Sequence, residues 1–181
     1  MANCGTTYRR GMAAIGVFPG TFNPVTVGHV AIADAAWRQH RLVRLDVVLS
    51  EAPLVKHGGA DLAPLDERLD LVRRALADRH WATVRTTTDQ LLSDIARGYD
   101  VVVMGADKWA QIHDVAFYGG DPVARDAAVA DLPTLAIARR GDVDIPPHAE
   151  LDVPPWVAEV SATAVRNGRA DWHGLKGPSG R

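Results

Sequence analysis

The 181-residue sequence has little cysteine, no long apolar run and almost no net charge. Its single cysteine, Cys4, can form no internal disulfide, which excludes the small disulfide-stapled scaffolds of secreted proteins. No apolar run approaches the roughly 18 residues that a membrane-spanning helix needs, and the N-terminal stretch lacks the apolar core of a secretory signal. A cytoplasmic protein without a membrane partner is expected. A formal charge of −2 is neither the basic excess of a nucleic-acid binder nor an acidic tail. The expected partners are therefore small molecules or further copies of the chain, and not nucleic acid. Internal repeats and low-complexity segments are also missing. The seven histidines include the pair His113–Asp114 but no second ligand at useful spacing, so no metal site is expected among them.

What is present is an apolar fraction of 47% in a chain long enough for one well-buried domain. Residues 1–12 carry no periodicity and read as a flexible leader, residues 13–170 as the domain, and residues 171–181 as a flexible tail. Short β-branched runs, "AAIGVF" (13–18), "LDVVLS" (45–50), "DVVVMGAD" (100–107) and "PTLAIARR" (133–140), suit strands covered on both faces, and "WATVRTT" (81–87) is a half-exposed version. Helical spacing lies between them, in Val30, Ala33 and Trp37 and in Leu65, Leu69, Val72 and Leu76. A third helix is expected from Asp89 to Gly98, and "DIPPHAELDVPPW" (144–156) as an extended surface connection. This alternation predicts an α/β fold, a doubly wound parallel sheet, with ligands beyond the carboxyl ends of the strands.

Three strand ends are chemically unusual: "PGTFNP", "SEAPLVK" and "GADKW". Gly20 permits a sharp turn after the first strand, and Pro24 ends extended pairing before a helix that starts near Thr26 or Val27. Such a helix start carries unpaired amides and partial positive charge, which attract phosphate. Thr26 and His29 share a face of its first turn, and Gly28 between them lets a ligand approach the backbone. By itself the stretch is equally an ordinary loop-to-helix junction with a capping threonine and a surface histidine.

The whole string "GTFNPVTVGH" resembles the signature of the nucleotidyltransferase superfamily whose members carry an HxGH or TxGH motif on a Rossmann-like fold. A second element, "VSATAVRNG" (160–168), resembles that family's S-x-T-x-x-R at the start of a late helix, with Ser161 as a natural N-cap. The resemblance implies transfer of a nucleotidyl group from ATP or CTP to a phosphate-bearing acceptor, with release of pyrophosphate. It implies that His29, assisted by Thr26, stabilises the α-phosphate, protonated or as a hydrogen-bond donor. The loop of Gly20, Thr21 and Phe22 holds the triphosphate, Ser161 and Thr163 add hydroxyls and amides, and Arg166 braces the leaving pyrophosphate. Mg²⁺ arrives with ATP.

"VVVMGADKW" (101–109) resembles the G-A-D segment of the nicotinate and nicotinamide mononucleotide adenylyltransferases, in which Gly105 and Asp107 would line the nucleotide or pyridine site. Asp107 also reads as a helix N-cap. "EAPLVK" (51–56) is similar to that family's proline-containing loop and would bring Lys56 to the phosphates; an isolated loop lysine is otherwise simply solvated. "TTTDQLL" (86–92) loosely resembles a segment near the pyridine site and brings in Thr88. Arg140, beside Arg139 at the end of the fifth strand, either contacts the nucleotide or caps the sheet edge. Trp109 and Trp156 suit ring stacking or partial burial.

The expectation is an adenylyltransferase that joins ATP and nicotinate or nicotinamide mononucleotide in NAD biosynthesis, as a homo-oligomer. Cytidylyltransferases share both end motifs and are the first alternative; phosphopantetheine adenylyltransferases fit less well, because their late element usually lacks this arginine pattern. A degenerate nucleotide-binding module is the non-enzymatic alternative. Thr26 stands where many bacterial nicotinate enzymes have histidine, while phosphopantetheine and eukaryotic-type mononucleotide enzymes typically have threonine. The ending "RADWHGLKGPSGR" lacks the final amphipathic helix common in that family.

Overall fold

The computed structural model describes residues 13–51 and 62–175. Five strands, β1 (Ala14–Gly20), β2 (Leu42–Ser50), β3 (Ala82–Thr87), β4 (Val101–Gly105) and β5 (Thr134–Ala138), form one sheet in the order β3-β2-β1-β4-β5. Every pairing is parallel. The chain winds outward from β1 to β3, then returns past β1 to build β4 and β5 in the opposite direction. Strand order thus reverses between β1 and β4, where a parallel sheet opens a crevice at its carboxyl edge. The β1–β4 ladder pairs Gly16 with Val101 and Val17 with Val102, and stops short of Pro19, which has no N–H to contribute.

The near-continuous apolar strands are covered on both faces, as their composition predicts. One face joins Phe18, Leu45, Val47, Leu49, Val101 and Val103 to α1 (Val27–His40) and α2 (Leu65–Ala75). The other joins Val17, Val48, Val102, Met104 and Ile137 to α3 (Leu92–Ala96) and α4 (Ala106–Gln111). The helical spacing seen in the sequence is what is buried: Val72 and Leu76 are in the core, with Leu65 and Leu69 packed against it. Trp37 of α1 stacks on Trp81, just ahead of β3, with ring centroids 5.2 Å apart.

Two expectations change and one helix is added. The third helix starts at Leu92 rather than Asp89, because the Asp89 amide donates to Thr87 Oγ1 (3.0 Å) and the Thr87 hydroxyl donates to Asp89 Oδ2 (3.2 Å). This local side-chain turn competes with helix initiation. The proline-rich stretch 144–156 is not an exposed connection: Ile145, Ala149 and Leu151 are buried, and the Leu151 amide donates to the Ile137 carbonyl of β5 at 2.9 Å. Its prolines break regular pairing, but its apolar residues still close the core. A further helix, α5 (Pro122–Ala130), carries ordinary start signals: Asp121 caps it by accepting from the Val123 amide at 2.8 Å, and Pro122 supplies the preset first turn.

Leu45 is fully buried at the centre of β2. Leu45→Ala should cost about 2–5 kcal/mol, read as a lower urea midpoint. His40, in the last turn of α1, has a buried Nε2 without a hydrogen-bond partner among the described residues, and burial holds its imidazole below the ordinary value of 6.5. The unfolded chain therefore takes up this proton first as pH falls. The stability associated with neutral His40 is complete above pH 6.5 and declines as pH drops below it toward the folded value. Measured by denaturant titration across this range, His40→Gln should make stability less pH-dependent than in the wild type.

Candidate active site

The site is assembled where β1 runs into α1. Gly20 ends β1, and a Cβ there would lie 2.8 Å from the Phe22 ring, so only glycine lets that ring fold back over the strand end. Phe22 has a φ of 47°, in the left-handed region that bulky residues rarely adopt. Its ring is buried edge-on between Phe18 (5.5 Å) and His29 (5.1 Å). A cis peptide joins Asn23 to Pro24, and the helix begins three residues later, at Val27.

Thr26 is the N-cap of α1, and it forms a reciprocal box with His29. The His29 amide donates to Thr26 Oγ1 (3.3 Å) and the Thr26 amide donates to His29 Nδ1 (3.0 Å), with Thr26 Oγ1 also 2.8 Å from Nδ1. An amide can only donate, so Nδ1 is the unprotonated nitrogen and the ring hydrogen resides on Nε2. The imidazole is thereby fixed as an Nε2–H donor at the positive end of a 14-residue helix. Thr26 is only 2% exposed, so its hydroxyl serves His29. Gly28 is buried as well. A Cβ on it would stand 3.2 Å from Val160, so the space left by its missing side chain is filled by the segment leading to the second motif and not open to a ligand as expected.

That second motif packs against the first. Ser161 caps α6 (Ala162–Arg166) by accepting from the Ala164 amide at 3.0 Å. The Arg166 guanidinium donates to Thr163 Oγ1 (3.0 Å) and to the Asn23 carbonyl of the first loop. Residues 171–175, expected as part of a tail, also return to this loop. His173 forms an antiparallel bridge with Thr26, and the Gly174 amide donates to the Val25 carbonyl at 3.1 Å. A Cβ at Gly174 would meet the Thr26 carbonyl at 3.3 Å. This contact and that of Val160 went unread in the sequence, where neither residue type is distinctive.

Across the crevice, Gly105 ends β4 and is the N-cap position of α4, with open space where a Cβ would be. Asp107 lies in the first turn of α4 rather than at its cap, and its Oδ2 accepts from Arg140 Nη1 at 3.1 Å. Arg140 thus joins the ends of β4 and β5, whereas Arg139 turns away to pair with Glu150 (2.7 Å). Trp109 donates from Nε1 to the Asp144 carbonyl at 3.1 Å and meets His113 edge-on at 4.4 Å. Both line a cavity of about 480 Å³ against residues 143–147. Trp156 is surface-exposed. Thr88 follows the edge strand β3, which β2 separates from β1. Lys56 lies outside the described residues. No helix among those described is long and apolar enough to cross a membrane.

The cytidylyltransferase-like family model matches residues 17–167, which takes in both motifs and every strand end described above. A probable nicotinate-nucleotide adenylyltransferase from Methylorubrum extorquens is 30% identical over 183 residues, covering 84% of this chain and 98% of that protein. A phosphopantetheine adenylyltransferase from Geobacter sulfurreducens is 37% identical over 93 residues, half of this chain and 52% of that one. In architecture the chain is similar to the Plasmodium falciparum nicotinic acid mononucleotide adenylyltransferase complexed with APC, at a TM-score of 0.56 and 12% identity over 86% of this chain and 83% of that one. With its parallel sheet, its loop-to-helix junction and its capped late helix in one family-wide match, the chain belongs to the cytidylyltransferase-like nucleotidyltransferases.

Proposed function

We propose that this nucleotidyltransferase moves the adenylyl group of ATP to nicotinate or nicotinamide mononucleotide, forming the dinucleotide and pyrophosphate. The observation that carries the chemistry is the Thr26–His29 box, which presents an Nε2–H at the positive end of α1, beside the crevice between β1 and β4. Full-length similarity to a protein named a probable nicotinate-nucleotide adenylyltransferase supports the choice of acceptor.

The reaction asks for alignment and charge neutralisation more than for covalent participation. An oxygen of the mononucleotide phosphate attacks the α-phosphorus and forms the new P–O bond. The bond to the bridging oxygen breaks, and pyrophosphate leaves with the electron pair. His29 donates from Nε2 to an α-phosphate oxygen as charge accumulates there, which favours the transition state over the ground state. Thr26 acts through His29 as a positioning residue. The loop of Gly20, Thr21 and Phe22 receives the triphosphate, Lys56 and Arg166 neutralise the departing pyrophosphate, and Ser161 and Thr163 hold the helix that carries Arg166. Gly105 leaves room for the nucleotide, and Asp107 and Arg140 contribute polar contacts across the crevice. Trp109 offers a ring face at the far side of α4. Magnesium belongs to the MgATP substrate and is held by its phosphate oxygens, which asks no dedicated carboxylate cluster of the chain. Among the described residues there is no group of three or more His, Cys, Asp or Glu placed to hold an ion.

The test is pyrophosphate release from ATP or CTP against nicotinate mononucleotide, nicotinamide mononucleotide, phosphopantetheine and glycerol phosphate. ATP with one of the pyridine mononucleotides should turn over fastest. Preference for phosphopantetheine would replace this reading, in line with the half-length relative, and ATP binding without release from any pair would leave a binding module. With the preferred pair, His29→Ala should lower kcat by about a hundredfold or more with the fold intact by circular dichroism, and near-normal turnover would refute the assigned role.

Thr26→Val removes the capping hydroxyl but keeps the backbone donor to Nδ1. It should lower stability by about 1 kcal/mol and reduce kcat with little change in KM, while Thr26→Ser restores both.

A further inference from the structure

The largest fully buried side chain in the described structure is an arginine, Arg68, 1% exposed in the first turn of α2. A buried guanidinium ordinarily has a carboxylate partner. The hydrogen bonds of Arg68 go to carbonyls instead: Nε donates to Ala63 (3.0 Å), Nη1 to Thr21 (2.9 Å), and Nη1 and Nη2 reach Ser50 at 3.5 and 3.4 Å. No carboxylate among the described residues is ion-paired with it. Burial pushes its pKa below the usual arginine range, yet a guanidinium stays charged at neutral pH. The three carbonyls belong to the loop after β1, the end of β2 and the entry to α2, so one rigid fork ties together three segments at the carboxyl edge of the sheet.

The bond to Thr21 has a directional consequence. In a trans peptide the carbonyl and the following N–H point in opposite directions. With the Thr21 carbonyl drawn toward Arg68, the Phe22 N–H points away from α2. The same peptide precedes the one bulky residue held at positive φ in this loop, and Phe22 in turn packs on His29 at 5.1 Å.

We propose that Arg68 is a positioning residue for the nucleotide phosphates: from behind the loop it orients the Thr21–Phe22 peptide so that the Phe22 N–H faces the triphosphate, and it adds unneutralised positive charge to that site. The assignment rests on the nucleotide-binding reading above but not on the identity of the acceptor. It acts on phosphate binding first and on the histidine only through Phe22.

Arg68→Met keeps most of the side-chain volume and removes both charge and donors; Arg68→Lys keeps the charge and loses the fork. Circular dichroism and thermal melts establish that each variant is folded, and calorimetry measures binding of ATP, inorganic tripolyphosphate and AMP. Folded Arg68→Met should lose about tenfold or more in affinity for ATP and tripolyphosphate and far less for AMP, with Arg68→Lys between it and the wild type. In turnover, KM for ATP should rise by more than kcat falls. Tripolyphosphate binding unchanged in folded Arg68→Met overturns the proposal, as does equal loss for AMP and ATP, or failure of both variants to fold, which would make Arg68 purely structural. Wild-type protein that binds tripolyphosphate but releases no pyrophosphate from ATP with any of the acceptors tested removes the proposed reaction and leaves Arg68 standing. Wild-type protein that binds neither ATP nor tripolyphosphate removes the nucleotide reading and Arg68 with it.

Discussion

The reciprocal hydrogen bonds between Thr26 and His29 are the constraint on which the site depends. Each partner satisfies an orphan amide of the helix start, which is the ordinary stabilising work of a capping box. Here the residue at the third helical position is histidine rather than glutamate, so the same bond that caps the helix start also selects a tautomer. Helix capping and presentation of an Nε2–H donor are then one interaction. Much of the surrounding structure holds that turn in place: Phe22 against the imidazole face, Val160 in the space above Gly28, and His173 and Gly174 along the backbone of Val25 and Thr26.

The charge distribution follows the same plan. A formal charge of −2 is the sum over the whole chain, and individual arginines reach the carboxyl edge of the sheet. Arg166 reaches the first loop through the Asn23 carbonyl, and Arg68 reaches it from below through Thr21. Both guanidiniums bond to main-chain oxygens, which leaves their charge unneutralised by these contacts. Arg140 differs, since Asp107 balances it. Arg68 and Arg166 thus both reach the loop that precedes His29, whereas Arg140 across the crevice is ion-paired.

The fold was legible wherever a period was strong. Continuous β-branched runs meant strands covered on both faces, and α2 buried the stripe that its spacing marked. Legibility failed where local bonds or long-range packing outweighed the pattern. Thr87 and Asp89 bonded to each other and delayed a helix, and the prolines at 144–156 disguised a segment whose Ile145, Ala149 and Leu151 close the core. Arg68 had a visible signal that went unread: it lies on the apolar stripe of α2 between Leu65, Leu69 and Val72, where a charged side chain needs a reason. Gly28 was read as space for a ligand because sequence cannot show what fills a missing side chain.

The class of fold and the local form of the two motifs were determined by sequence alone, because strand composition, a glycine-proline loop and a Ser-capped late helix are local signals with local physical causes. Tertiary structure alone decided which nitrogen of His29 carries the hydrogen, that Thr26 serves the histidine, that Asp107 is paired with Arg140, and that a buried arginine lies under the loop. Each of these depends on two groups meeting at hydrogen-bond distance. Most bring together segments far apart in the chain, and even the Thr26–His29 pair, three residues apart, needed the helix start in place before its direction could be read.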